Sequence, residues 1–325
     1  MIKVVYDQVE LGNIKLPIFA QEKYLKCKNE NWGWFISEKY VLPFVIDKKL
    51  IFKRLIFTYE SIPLTSNLSI EDRNFFLNEI IKYLSENKVC DFISMAQSYV
   101  VFDTYPDKCD AVDWGSYYIE LEKSDEELMS SFHAKHRNVI KRAIKDGVFI
   151  EKTDDYNVVF DNIKETLERQ NSIFYPSLSY LKSLSFNIPG NTGFFVAKKD
   201  GLIQGSAIII FDKNCGYYMY GGSISKPSSG SLNFLHYEVF KYLRDSGVKY
   251  YDFVGARINV KKGSKFEGIQ KFKSRFGAEL KQGYGFRVIF NPIKFKLFNL
   301  SVKLYGKIKG FSYSDTIDQI KSGKY

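Results

Sequence analysis

The chain has 325 residues, 45% hydrophobic and 17% aromatic, enough to bury the cores of two ordinary domains and too apolar for a disordered or fibrous protein. Its 47 Lys and Arg outnumber 37 Asp and Glu, a formal charge of +10. Excess positive charge points to a polyanionic partner: RNA, nucleotide phosphates or an anionic membrane face.

The first part reads as strand-rich. Short aromatic or β-branched runs at Ile2 to Tyr6, Trp32 to Ser37, Tyr40 to Ile46 and Leu50 to Tyr59 are separated by turn residues. Ser69, with Asp72 three residues on, predicts a capped helix that runs towards Asn87 with Phe75, Phe76, Ile80 and Leu84 at helical spacing. Two further strands are predicted at Asp91 to Ala96 and Ser116 to Leu121. The loop between them carries Asp103, Asp107, Asp110 and Asp113, any of which is a candidate to orient an incoming amine.

The strongest helix signal spans Ser124 to Gly147, with a capping box at Ser124 and Glu127 and apolar positions Leu128, Phe132, Val139, Ile140 and Ala143. Its other face carries Lys135, Arg137, Lys141, Arg142 and Lys145, a solvated face or a phosphate-binding one. His133 and His136 lie three apart but have no Cys or acid at ligand spacing, so no metal site is expected. A strand from Val148, a helix from Tyr156 to Asn171 and a chain restart at Pro176 follow. Strands Gly193 to Ala197, Leu202 to Phe211 and Cys215 to Tyr220 are joined by hairpin turns at Asp200-Gly201 and Asn214 to Gly216. A helix from Ser231 to Arg244 then leads to a strand at Val248 to Phe253. This order is α+β, and it suggests two copies of one unit, with a boundary expected between residues 146 and 147.

The charge is not spread evenly. From Arg257 to Lys309 there are fourteen bases and two acids, so this stretch holds the whole excess. It contains a Gly- and Lys-rich loop, a short helix predicted from Gly268 to Phe276 and ended by Gly277, and an amphipathic helix predicted from Pro292 to Lys309. In the last of these, Ile293, Leu297, Leu300 and Leu304 form one apolar face, which is expected to pack on the protein, with the first domain as the candidate surface, and with lysines covering its edges. The four cysteines, Cys27, Cys90, Cys109 and Cys215, show no CxxC spacing and read as reduced thiols of a cytoplasmic protein. The opening MIKVVYDQVE has no signal-like apolar run, and no stretch reaches the roughly 18 apolar residues of a spanning helix. A cytoplasmic chain with peripheral contact at the membrane is the resulting expectation.

The segments KHRNVIKRAIKDGV (135–148), GYYMYGGS (216–223), KYYDFVG (249–255) and GIQKFKSRFGAE (268–279), followed by NPIKFKLF, occur in an order that resembles the FemAB family of aminoacyltransferases. The resemblance covers Lys135 to Leu304, with LPIFAQEKYLKCK (16–28) similar to the family's opening helix. It implies two tandem acetyltransferase-like (GNAT) domains, the first degenerate, and the sequence shows no long coiled-coil arm of the sort some members insert. It also implies acyl transfer to an amine from aminoacyl-tRNA, without a covalent enzyme intermediate and without a cofactor. The acceptor would be a nucleotide-linked or lipid-linked envelope precursor. Lys273 matches the family lysine assigned to the developing negative charge, and Asp252 a family aspartate that orients the loop. The resemblance places Tyr180, Tyr220 and Gly221 at the acceptor. Tyr175 stands before Pro176 where relatives that bind a nucleotide-linked muropeptide have arginine, which leaves the phosphate contact to Lys28 or Arg137. That departure, together with the missing arm, favours a surface-polysaccharide amino sugar over a peptidoglycan bridge. Arg257, Lys261, Lys262, Lys265 and Arg275 are the donor-facing candidates.

Two other readings remain open. One is an N-acyltransferase that uses an acyl-CoA or acyl-carrier donor, although KPSSGSLNF (226–234) is a degraded form of the pyrophosphate-binding loop. The other is a non-enzymatic RNA- or membrane-binding module.

Overall fold

The computed structural model describes residues 2–172 and 175–323. The chain begins with β1 (Lys3–Val5), α1 (Glu22–Lys28), β2 (Trp32–Ile36), β3 (Tyr40–Lys49), β4 (Phe52–Phe57), β5 (Ile62–Pro63), α2 (Ile70–Glu86) and β6 (Phe92–Ile93). Next come β7 (Asp110–Glu120), α3 (Asp125–Ser131), α4 (Ala134–Lys145), β8 (Phe149–Lys152), α5 (Tyr156–Arg169), α6 (Leu178–Asn187), β9 (Thr192–Lys199), β10 (Leu202–Phe211), β11 (Cys215–Ser223), α7 (Ser231–Asp245) and β12 (Tyr250–Asp252). It ends with β13 (Ala256–Arg257), α8 (Lys265–Ser274), β14 (Glu279–Ile289), α9 (Pro292–Ile308) and α10 (Thr316–Lys321).

These elements form two α+β units, Met1–Gly115 with Gly255–Lys261 and Gln282–Tyr325, and Ser116–Val254 with Lys262–Lys281. The boundary expected at 146/147 is therefore corrected. Residues 116–120 are needed by the second unit's sheet, where Glu120 pairs with Tyr250 and Tyr118 with Asp252. The C-terminal segment joins the first unit, where Phe295 and Phe298 of α9 pack on Phe92, each with ring centroids 5.1 Å apart.

In the first unit, β1, β2, β3 and β4 are successive antiparallel neighbours, β6 pairs parallel with β4, and β14 pairs antiparallel with β6. Its core is aromatic, with Trp34, Phe35, Tyr40, Phe44, Phe57, Phe92 and Phe102 all buried. The predicted capping box of α2 is present: Asp72 N donates to Ser69 Oγ at 3.1 Å and Ser69 N to Asp72 Oδ2 at 3.0 Å. Two carboxylates of the acid-rich segment are committed to structure rather than to an amine. Asp103 pairs with Arg73, and Asp110 lies in β7 and pairs with both Arg287 and Lys321.

In α9, the apolar face expected to pack does not. Ile293, Leu297, Leu300 and Leu304 face solvent, while the opposite face, Phe295, Phe298, Val302 and Gly306, turns inward. The large aromatic rings fill the space against Phe92 that the aliphatic stripe is expected to take.

The second unit's sheet runs β7, β12, β11, β10, β9, β8. Among its described strands only β11 and β12 pair in parallel, through Cys215–Tyr250, Gly216–Tyr251 and Tyr217–Asp252. Beyond Tyr217 that ladder ends, while β11 continues beside β10 to Ser223 after a bulge at Met219. Adjacent β10 residues face opposite ways: Ser206 Oγ donates to Asn162 Oδ1 of α5 at 2.7 Å, and Gly205 leaves room for Leu232 of α7. Thus α5 and α7 cover opposite faces.

The single helix predicted over Ser124 to Gly147 is two. It breaks because Phe132 turns into the core against Phe276, Tyr237 and Phe240, and His133 leaves the helical conformation and caps α4 through Lys135 N. Among the described residues no helix exceeds 17 residues, so no long helical arm is present, and none is long and apolar enough to cross a membrane.

Candidate active site in the second unit

β12 ends at Asp252, and the chain leaves the sheet through Val254, whose φ of 45° is in the left-handed region. A β-branched residue adopts that conformation only when its surroundings impose it. The Asp252 carboxylate accepts the Val254 amide at 2.7 Å and the Ser116 hydroxyl through the same oxygen, Oδ1. Its other oxygen has no hydrogen bond of ordinary geometry, although the nearby Tyr118 hydroxyl still favours the charged form. Burial is the larger effect and pushes the carboxyl up to about 6.

Lys273 approaches the same turn from α8. Ser264 caps this helix by accepting from Glu267 N, and Gly277, at φ 74°, follows its end. Phe276 stacks on Phe253 with centroids 5.4 Å apart, which holds the end of α8 against the end of β12. Lys273, one turn earlier, is thereby buried, and its ammonium donates to the Val254 carbonyl. Burial draws its pKa down to about 8, and the Asp252 charge opposes that shift. A buried cation and a buried carboxylate are thus held on one strained residue, at the point where the β11–β12 ladder ends.

Two histidines support this arrangement. His236 of α7 is enclosed by Tyr218, Phe240, Tyr251, Phe253, Phe272 and Phe276. Its Nδ1 lies 2.9 Å from the Tyr251 hydroxyl, and burial, followed by the charges of His136 and Lys273, draws its pKa down to about 3. It is therefore a neutral ring at physiological pH. His136 Nε2 lies 3.1 Å from the Phe272 carbonyl, which can only accept, so that nitrogen carries the proton. Burial lowers its pKa as well. Among the described residues no cluster of His, Cys, Asp or Glu is arranged to hold a metal ion.

Lys273 and Asp252 are brought together, and the remaining candidates divide. Lys262 and Lys265 are exposed at the start of α8, where Lys265 donates to Gln170 at 3.0 Å, and Lys261 is an exposed residue of the first unit. Arg275 is half-buried, and its carbonyl accepts the His133 amide at 2.8 Å. Arg257 does not fit a donor-facing role, because it is buried in the first unit and donates to Gln319 at 2.5 Å. Arg137 donates to the Ser130 and Phe132 carbonyls and so satisfies the end of α3, not an acceptor phosphate. Lys28 is half-buried in the first unit, where burial and then the Arg54 charge draw it down to about 8.

Tyr180 is half-buried on α6, and the Tyr175 hydroxyl donates to Glu168 at 3.4 Å. Tyr220 is half-buried on β11, and burial pushes its phenol up to about 12. Gly221 does not leave the expected space for a substrate, because a Cβ there would collide with the Tyr218 hydroxyl. The neighbouring Gly222 makes room for Asn162. Both glycines therefore serve internal packing.

Sequence reasoning misses Ser116, Val254 and His236. Ser116 lies within a strand pattern, and Val254 has no residue signal for its conformation. His236 does stand out, as a lone histidine on the apolar face of α7.

The segment KPSSGSLNF is occupied by its own structure. Ser228 N donates to Gln204 at 2.9 Å and Ser231 N to the Ser228 carbonyl at 3.1 Å, while Gly230 lies so close to α4 that a Cβ would collide with the Val139 carbonyl. Two amides that a pyrophosphate would use are thus already engaged.

No protein-family model matches the chain. A lipid II:glycine glycyltransferase of Staphylococcus epidermidis is 20% identical over 264 residues, a match that spans 58% of this chain and 64% of that protein, less than two thirds of its length. The crystal structure of FemX superposes with a TM-score of 0.65 at 15% identity, covering 91% of this chain and 99% of that one. A tandem GNAT protein from the clavulanic acid biosynthesis pathway superposes with a TM-score of 0.50 at 8% identity, covering 90% and 99%. The fold is thus that of tandem acetyltransferase-like units, and the sequence is similar to that of the lipid II:glycine glycyltransferases.

Proposed function

We propose that the chain transfers an aminoacyl group from aminoacyl-tRNA to an amine of a lipid- or nucleotide-linked cell-envelope precursor, with Lys273 as the catalytic cation. The observation that carries this reading is the buried Lys273 ammonium, fixed at the end of the parallel ladder with its pKa drawn to about 8. Amine attack on the ester carbonyl places negative charge on that oxygen, and a preorganised cation in a dry setting stabilises it. One such group is worth about 3 kcal/mol, or roughly 10²–10³ in rate. The new C–N bond forms as the bond to the ribose oxygen breaks, and that oxygen takes the proton that the amine releases. Asp252 acts through Val254 and positions Lys273, while Tyr220 and Tyr180 remain our candidates on the acceptor side.

The name of the relatives, lipid II:glycine glycyltransferase, supports a lipid-linked acceptor and weighs towards a peptidoglycan precursor. The case for a surface-polysaccharide amino sugar rests on Tyr175 and on the lack of a long helical arm among the described residues. The occupied amides of 228–231 weigh against a coenzyme A donor at α7.

The test supplies purified protein with charged tRNA carrying a labelled amino acid and an amine-bearing lipid-linked precursor. Labelled product that RNase abolishes supports the reading. Product formed equally well from acyl-CoA, or surviving RNase, sinks it.

A further inference from the structure

The outward face of α9 is apolar and largely exposed. Ile293, Leu297, Leu300, Leu304 and Ile308 recur at the spacing of one helix stripe and are between 46% and 82% exposed. Lys296, Lys303 and Lys307 are exposed along one edge of the stripe, and α9 contains no acid. The buried side of the same helix is used by Phe295 and Phe298 on Phe92, so the stripe is not the helix's core face.

The neighbouring element has the same character. Phe52 of β4 touches Phe298 of α9 with centroids 5.7 Å apart. At the tip of the hairpin that precedes it, Leu50 is 100% exposed and Ile51 60%, with Lys48, Lys49 and Lys53 exposed around them. Leu50 sits at φ 53°, a turn position that usually goes to Gly or Asn, so a large aliphatic side chain is presented to solvent despite the strain. Two adjacent elements of the first unit thus expose aliphatic residues among lysines.

We infer that the outward face of α9, together with the exposed β3–β4 hairpin tip of the same unit, is a docking surface for an anionic lipid bilayer. The charge complementarity selects this occupant. Aliphatic side chains enter the boundary between headgroups and acyl chains, and the lysines stay at the anionic headgroups. A soluble acidic protein would match the lysines but would gain little from a fully exposed Leu50, and a second copy of this chain would bring lysine against lysine. The surface makes no use of Lys273 or its neighbours, so docking and transfer are separable.

The test is co-sedimentation of the full chain with vesicles of phosphatidylcholine alone or with phosphatidylglycerol added. The protein is expected to pellet with the anionic vesicles at least about tenfold more than with the neutral ones. Leu300→Glu with Leu304→Glu, and separately Leu50→Glu with Ile51→Glu, should each weaken that binding about tenfold or more with an unchanged circular dichroism spectrum. Binding that ignores vesicle charge, or survives both double substitutions, overturns the proposal. So does a protein that stays in the supernatant, or one whose dimer in solution is dissolved by these substitutions, since the face then belongs to a second copy. Transfer to a short-chain, water-soluble acceptor should be unaffected by either pair, which keeps this outcome distinct from failure of the proposed reaction.

Discussion

Asp252 and Lys273 grip the two ends of one residue: the Asp252 carboxylate accepts the Val254 amide at 2.7 Å, and the Lys273 ammonium donates to the Val254 carbonyl. Val254 is left-handed, so neither contact would survive if the turn relaxed. The pair is therefore coupled through geometry as well as charge. In a protein labelled at lysine nitrogen, Lys273 should titrate near 8, and in Asp252→Asn it should titrate lower, because the one charge that raises its pKa has gone. An unchanged value in that variant would mean the two groups do not sense each other.

The same shifts set a stability profile. Asp252 is raised from 3.8 to about 6, so between those values the native state holds a proton that the unfolded chain has lost, and stability falls as pH rises through that window. Lys273 is lowered from 10.5 to about 8, so between 8 and 10.5 the unfolded chain holds the extra proton and stability rises with pH. Each shift corresponds to at most about 3 kcal/mol. Urea unfolding across pH 4 to 10 should show both slopes. Asp252→Asn should flatten the acid one and Lys273→Met the alkaline one; slopes of the opposite sign would refute the assignment.

Gly221 tests packing against substrate approach. Gly221→Ala forces its Cβ into the Tyr218 hydroxyl and should lower stability by about 1–3 kcal/mol. Tyr218→Phe in the same chain should restore part of the loss. A variant with an unchanged melting temperature and a raised KM would instead put Gly221 at the acceptor.

Arg287 of β14 is buried and pairs with Asp110, Asp315 and Asp318. Arg287→Leu leaves three carboxylates without their shared cation and should cost about 3–5 kcal/mol. Limited proteolysis should then cut first between α9 and α10, whose Asp315 and Asp318 lose their anchor. Cleavage spread evenly over the chain would show that the cluster does not hold the terminus.

The exposed Lys261, Lys262 and Lys265 are predicted to carry RNA affinity. Replacing all three with Ala should weaken tRNA binding and flatten its dependence on salt by roughly two units of log–log slope. Arg257→Lys should instead lower stability and leave the slope as it was, since Arg257 is buried on Gln319.

Local signals make much of this fold legible. The caps at Ser69 and Ser124, the Asp200-Gly201 turn and the stop at Gly277 all act within a few residues, and each lies where the sequence places it. Motif order singles out Lys273 and Asp252, and the fold brings both onto Val254. The domain boundary is not, because the pairing of Tyr118 with Asp252 joins residues far apart in the chain and leaves no local trace. The break at Phe132 is hidden for a related reason: an apolar residue at helical spacing looks the same whether its helix continues or the chain turns inward at that point. In α9 the pattern offers two apolar faces, and periodicity alone does not say that the aromatic one is buried. The family resemblance suggests ligand roles for Arg137, Arg257 and Gly221, whereas their partners are a helix end, a glutamine and a tyrosine within the fold.

The most direct test of the central claim is single-turnover transfer from saturating charged tRNA by Lys273→Met beside the unmodified protein, at pH 7 and with both shown to be folded. Met keeps most of the length of the side chain and removes the cation. The account predicts that the transfer rate falls by roughly 10²-fold or more while tRNA affinity is retained. A rate within a few fold of the unmodified protein would contradict it and leave Lys273 a buried structural lysine.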